Sequence, residues 1–282
     1  MPIFHKTDAL KNHFSAISKG DTIGMVPTMG ALHLGHISLV KKAFKENKHT
    51  IVSIFVNPTQ FNNPEDLEKY PKTLAADVAL LQKEVSKEII VFAPSAEEIY
   101  NGTIKSSSYN FGSLEKVMEG AFRDGHFDGV GTIVEKLLTL AQPNTAYFGE
   151  KDYQQLQIIK KLVQLKNIPV RIIGCPIVRE ENGLAMSSRN ERLTPELRIE
   201  AAFIYKTLKT AKQKFGTKSA VQVTAWVTDQ FQQNKLLQLE YFNITEANEL
   251  QPFKRKSKNR KYRAFIAVYA DDIRLIDNIS LN

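Results

Sequence analysis

A parallel α/β sheet wound with helices on both faces, followed by a smaller α+β domain, is the fold class that the sequence predicts. Three observations carry it. β-branched apolar runs alternate with stretches of helical periodicity up to residue 178, a polar loop then interrupts the alternation, and two successive helical stretches lead into strand-like runs. The expected architecture is a Rossmann-like doubly wound domain over residues 1–178 and a smaller α+β domain over 179–282. In such a sheet the ligand lies beyond the carboxyl ends of the strands.

TIGMV (22–26) is a short apolar strand ending at Pro27. After it, Ile37, Val40 and Phe44 recur at helical spacing in HISLVKKAFKEN, and HTIVSIFV (49–56) has the composition of a buried strand, which makes a β-α-β unit. LEKYPKTLAADVALLQKE then reads as a helix, KEIIVFAP as a strand, VGTIVEKLLTLAQ as a helix and NTAYFG as a strand. DYQQLQIIKKLVQLKN follows as a helix and VRIIGCPIV as another buried strand. Beyond the polar loop REENGLAMSSRNERL, Thr194 and Pro195 supply a helix cap and a proline at the first helical position, and helices are expected over about 195–214 and 219–233. LQLEYFNITEA and YRAFIAVYADDIRLID are two strand-like runs joined by a basic loop.

Composition narrows the function classes. Apolar residues are 43% and charged residues 24% of 282, as in ordinary folded proteins. No apolar run approaches the roughly 20 residues of a membrane span, and MPIFHKTDAL lacks an apolar signal core, so a cytoplasmic location and no membrane partner are expected. The single cysteine, Cys175, sits in an apolar segment and reads as a small buried hydrophobe. The net charge of +8 is spread over helix-like segments apart from KRKSKNRKYR (254–263). With one aromatic, Tyr262, and no stacking pattern, that cluster reads as a solvated loop, and no nucleic-acid partner is expected.

MVPTMGALHLGH (25–36) carries the chemistry. Where a strand turns into a helix, the first backbone N–H groups are unpaired and the helix dipole is positive, which favours a phosphate. His33 and His36, three apart, can both donate to one phosphate. Gly30 relieves the turn, and Gly35 is expected to leave flat space for a purine ring. No cysteine or carboxylate completes a zinc site locally. Asn57 and Gln60 project from the end of the second strand, where a neutral amide suits a small hydroxy acid, although Asn57-Pro58 is also an ordinary turn. In GEKD (149–152), Lys151 can neutralise phosphate, and Asp152 can cap a helix, accept a ribose hydroxyl or meet a hydrated metal. The two hydroxyls and guanidinium of MSSR (186–189) could close on a triphosphate or face solvent in a plain linker.

PTMGALHLGH resembles the nucleotide signature of the pantothenate synthetases, members of the H-x-G-H nucleotidyltransferase group. SIFVNPTQF, YPKT, FGEKDYQQL and IVREENGLAMSSRN agree in order across most of the first 190 residues, whereas the C-terminal part agrees only in layout. The resemblance implies ATP contacts from Met29, Gly30, Ala31, Leu32, His33, Leu34, Gly35 and His36, from Gly149, Glu150, Lys151 and Asp152, and from Val178, Met186, Ser187, Ser188 and Arg189. It implies catalytic roles for His36, His33 and Lys151, and pantoate or β-alanine contacts from Gln60, Gln155, Asn57 and Arg123, with His126 on the rim. Asp77 matches an acid linked to Mg²⁺, but Ala76 stands where some members carry a second acid. The implied activity is ATP-dependent condensation of pantoate with β-alanine through pantoyl adenylate, in pantothenate and coenzyme A biosynthesis, by a homodimer. Two rivals are a related nucleotidyl transferase, which predicts cations in place of Gln60 and Gln155, and an RNA-binding protein using 254–263.

Overall fold

The computed structural model describes residues 1–62 and 64–282. Strands β1 (Ile3–Phe4), β2 (Ile23–Thr28), β3 (His49–Ile54), β4 (Ile90–Phe92), β5 (Thr145–Gly149) and β6 (Arg171–Cys175) form one sheet in the order β1-β4-β3-β2-β5-β6, with every pairing parallel. The period-two alternation of a strand explains the layers. Met25, Ile51 and Phe92 face one core, with α1 (Thr7–Ser15), α7 (His126–Ala141) and α8 (Tyr153–Leu165). Val26, Val52 and Val91 face the other, with α2 (Leu34–Glu46) and α4 (Leu74–Glu84). Cys175 is buried in that second core, where burial pushes its thiol up to about 11, as expected of a packed hydrophobe.

β2 sits between β3 and β5, so the chain leaves it to opposite sides and a crevice opens at the carboxyl ends of β2 and β5. Three short helices complete this part: α3 (Pro64–Glu68), α5 (Ala96–Tyr100) and α6 (Glu119–Phe122). Residues 67–84 do not form the single helix expected. Pro71 lacks an N–H and pushes Tyr70 out of the helical region, so the chain breaks between α3 and α4.

The C-terminal part comprises α9 (Pro195–Glu200), α10 (Ala202–Phe215), α11 (Ala220–Gln232) and the antiparallel strands β7 (Leu237–Glu246), β8 (Tyr262–Ala270) and β9 (Ile273–Ser280), in the order β7-β8-β9. Thr194 caps α9 through the Leu197 N–H at 3.2 Å, with Pro195 at the first position. Ile204, Leu208 and Ala211 of α10 and Val223 and Val227 of α11 pack on one face of this sheet. The expected single run over 262–277 is a hairpin instead, turning at Asp271, whose φ is 58°. Lys254 to Lys261 are exposed, while Tyr262 is buried and its hydroxyl accepts from the Ser257 N–H, so this stretch turns no tyrosine outward. Among the described residues no helix is long and apolar enough to cross a membrane.

Candidate active site

The turn after β2 is built around Asp77. Gly30 (φ 84°) and Ala31 (φ 49°) take left-handed backbone, and the Asp77 carboxylate accepts from Ala31 N at 3.1 Å and Leu32 N at 2.7 Å, with Thr73 Oγ1 3.3 Å from both oxygens. At 2% exposure Asp77 lies behind the cleft rather than in it. Both oxygens hold the turn that launches α2.

The two histidines cap the helix they begin. His33 Nδ1 accepts from Gly35 N at 3.1 Å, and His36 Nδ1 accepts from His33 N at 3.3 Å, so two orphan donors are satisfied reciprocally. An Nδ1 that accepts carries no proton, so both rings are held as Nε2–H tautomers. The rings lie 4.1 Å apart at 31°. Burial, then Lys151, lowers His33 to about 4, while burial, then His33 and Lys151, holds His36 well below the usual imidazole value. At neutral pH both are uncharged donors. Gly35 turns its bare face toward a neighbouring ring. A Cβ there would stand 2.7 Å from His33 Cε1 and 3.5 Å from Met186 Cβ, so the missing side chain admits the His33 ring.

Across the crevice, β5 ends at Gly149 and the chain turns through 150–152 into α8. This places Lys151, with Nζ 3.7 Å from Asp152 Oδ1, on the cleft wall. Loop 178–189 forms the third side. Met186 N donates to Val178 O at 3.0 Å, which folds the loop back on itself, and Ser187 caps the turn over 188–192. Ser188 Oγ lies 3.4 Å from the Tyr70 hydroxyl, and Arg189 pairs with Asp66 at 2.8 Å. The loop is therefore tied to α3 and to the turn that follows it.

Gln60 and Gln155 line the same cavity, and among the described residues their carboxamides have no hydrogen-bond partner. Gln154 differs. It is 4% exposed, donates to Leu114 O and Val117 O at 2.7 and 2.8 Å, and accepts from Glu119 N. Asn57 is also fully engaged, donating to Gly129 O at 3.0 Å and accepting from the Tyr100 hydroxyl at 2.6 Å. At 1% exposure Asn57 braces the turn that presents Gln60. Gly129 permits that brace, since a Cβ there would lie 2.2 Å from Thr59 O. Arg123 and His126 both donate to Gln60 O, at 3.3 and 2.8 Å, and burial, then Arg123, brings His126 down to about 4.

Of the carboxylates on the cavity wall, Glu119 is held by Arg274 and Asp277 by Arg179, each through two hydrogen bonds. That leaves Asp152, with 47% of its side chain exposed. Among the described residues no three His, Cys, Asp or Glu side chains cluster as a metal cage. Sequence reasoning missed Asp277 and Asn278 of this wall, and Arg263 and Arg274 that hold its residues, because their partners lie about a hundred residues or more away.

A family profile described as pantoate-beta-alanine ligase matches residues 2–280. The pantothenate synthetase of Flavobacterium psychrophilum is 57% identical over 282 residues, all of both chains. The crystal structure of pantothenate synthetase from Thermus thermophilus superposes with a TM-score of 0.91 at 37% identity, covering 100% of this chain and 99% of that one. A pantoate-beta-alanine ligase from Francisella tularensis, described as complexed with beta-gamma ATP and beta-alanine, gives a TM-score of 0.80 at 37% identity over 100% and 98% of the two chains.

Proposed function

The chain belongs to the pantoate-beta-alanine ligase family, and from that premise we propose that it condenses pantoate with β-alanine, using ATP, at the cleft described above. The observation that carries the reading is the pair of neutral, Nε2-protonated histidines at the carboxyl end of β2, opposite Lys151 and beside two unpartnered carboxamides.

In the first half-reaction the pantoate carboxylate attacks the α-phosphate of ATP. The bond to the β-phosphate breaks, pyrophosphate leaves, and pantoyl adenylate forms. Charge gathers on the phosphoryl oxygens, where His33 and His36 donate Nε2–H bonds and Lys151 adds a full charge. Preorganised donors of this kind typically contribute about 3–4 kcal/mol each to the barrier. Neutral imidazoles serve here because the proton stays on Nε2 throughout: the groups stabilise charge and transfer no proton. Gln60 and Gln155 hold the pantoate carboxylate and hydroxyls with no charge to repel the attacking group. In the second half-reaction the β-alanine amine attacks the acyl carbonyl, AMP leaves, and the amide forms. Among the described residues the cleft presents no nucleophile activated for a covalent step.

Ser187, Ser188 and Arg189 close on the β- and γ-phosphates once Arg189 exchanges Asp66 for phosphate, and Met29 to His36, Gly149 to Asp152, Val178 and Met186 surround the rest of the nucleotide. Mg²⁺ fits as an ion carried by the triphosphate, with Asp152 as the carboxylate that would hold it; it supplies charge neutralisation when bound. Arg123 contributes to the acid-binding end through its hold on Gln60. A homodimer, a cytoplasmic location and a boundary at 178/179 belong to the same proposal. The test is direct: purified protein with ATP, Mg²⁺ and pantoate releases pyrophosphate, and adding β-alanine releases AMP. Pyrophosphate release with other acids but none with pantoate would overturn the reading.

A further inference from the structure

Two of the segments assigned to the triphosphate, the turn 149–152 and the loop 178–189, enter the cleft far apart in sequence, and adjacent residues of β9 fix both. Asn278 donates from Nδ2 to Glu150 O at 2.8 Å and to Lys151 O at 2.9 Å. Its Oδ1 accepts from Arg263 Nη1, and Arg263 in turn reaches Glu150 Oε2 at 3.1 Å and stacks on Tyr153 at 3.9 Å. Asp277 binds Arg179 through two hydrogen bonds of 2.7 and 3.0 Å. Arg179 also donates to Gly183 O at 3.1 Å and lies 3.5 Å over the Tyr205 ring. Both β9 side chains are nearly inaccessible, at 4% and 2% exposure. Successive strand residues point to opposite faces, so two neighbours on one strand can serve two different segments.

We propose that the Asp277–Asn278 pair is the positioning element of the phosphate site: Asn278 sets Lys151, Asp277 sets the 178–189 loop through Arg179, and one strand holds the two in register. Each acts through the segment it holds, and the inference rests on the ligase reading above. Its consequence is that damage to the pair appears in the ATP parameters. The carbonyls of residues 150 and 151 hang from one amide. Asn278→Asp replaces that donor with an acceptor of equal size facing two carbonyl oxygens. The expected result is an ATP KM raised about tenfold and kcat lowered by up to about 10²-fold. The pantoate and β-alanine KM values stay within about twofold.

Stability is separated from positioning on the Asp277 side. Asp277→Asn alone leaves the half-buried Arg179 without its charge partner, whereas Arg179→Gln with Asp277→Asn removes both charges. The double variant is expected to recover melting temperature and to keep the ATP defect, because the loop has lost its anchor. Calorimetric titration with ATP reads the same defect without turnover. Wild-type ATP affinity and kcat in folded Asn278→Asp and Asn278→Ser would overturn the proposal, as would activity that returns with melting temperature in the double variant. If wild-type protein releases no pyrophosphate with pantoate, the ligase reading falls, while the calorimetric comparison still judges the β9 pair.

Discussion

Gly35→Ala separates the two jobs of the histidine pair. The new Cβ would stand 2.7 Å from His33 Cε1 and 2.8 Å from Nδ1, against about 3.4 Å for ordinary contact, so the ring must retreat by about 0.7 Å. Its retreat strains the 3.1 Å bond from Gly35 N, whose loss costs about 0.5–2 kcal/mol as a helix cap. Alanine is a better helix former than glycine by up to about 1 kcal/mol, which offsets much of that. Net stability is therefore expected to change by less than about 1 kcal/mol. Catalysis has no such offset: a displacement approaching 1 Å in a group stabilising a transition state costs about 10²-fold. Melting temperature by calorimetry and pantoate-dependent pyrophosphate release on the same preparation test this. The expected outcome is near-native stability with kcat down about 10²-fold. A kcat within about threefold of wild type would refute the role assigned to His33 and to the space Gly35 leaves for it.

Gln60→Glu or Gln155→Glu sets a carboxylate against the pantoate carboxylate, so initial rates should show the pantoate KM rising at least about tenfold with little change for ATP; an unchanged pantoate KM would remove the amides from acid recognition. Asp77→Asn weakens two backbone anchors and should lower stability by about 1.5–3 kcal/mol in urea titration while leaving the Mg²⁺ dependence of the rate in place; a shifted Mg²⁺ requirement would restore Asp77 as a metal residue. His33 and His126, both brought down to about 4, and His36, also depressed, stay neutral in the folded state while the unfolded chain protonates near 6.5. Stability is therefore fully present above about 6.5 and is lost as pH falls toward 4, by about 1.4 kcal/mol per unit for each such histidine. The rate profile should accordingly lack a histidine inflection near 6.5, and finding one that disappears in His36→Asn would contradict the neutral-donor mechanism.

The parallel sheet and its crevice were legible because buried strands and amphipathic helices announce themselves within a dozen residues. Ile51, Val52 and Ile54 mark β3 whatever the rest of the chain does, and His33 and His36 are meaningful as soon as the strand before them is seen. The two-residue β1 has too little pattern to register, and the Asp271 turn uses a left-handed aspartate where glycine would have flagged a hairpin. Asn57 and Asp77 stand beside catalytic segments and look like ligands in sequence, and their hydrogen bonds go to backbone groups and to the hydroxyls of Tyr100, Thr59 and Thr73. Residue type at a position states which bonds can be made, and only the fold decides with whom. Gln154 and Gln155 make the same point within one dipeptide, since a rotation of about 100° along the helix sends one amide inward and leaves the other facing the cleft.

β9 follows every other element in chain order, and this matters for how the enzyme comes into being on the ribosome. Synthesis is vectorial, and N-terminal domains generally fold as they emerge. A nascent chain that has reached β6 holds all six strands of the parallel sheet, both histidines and Lys151. It still lacks the strand that orients the turn bearing Lys151. A chain that has reached only β6 is therefore expected to adenylate pantoate more slowly than one that includes β9.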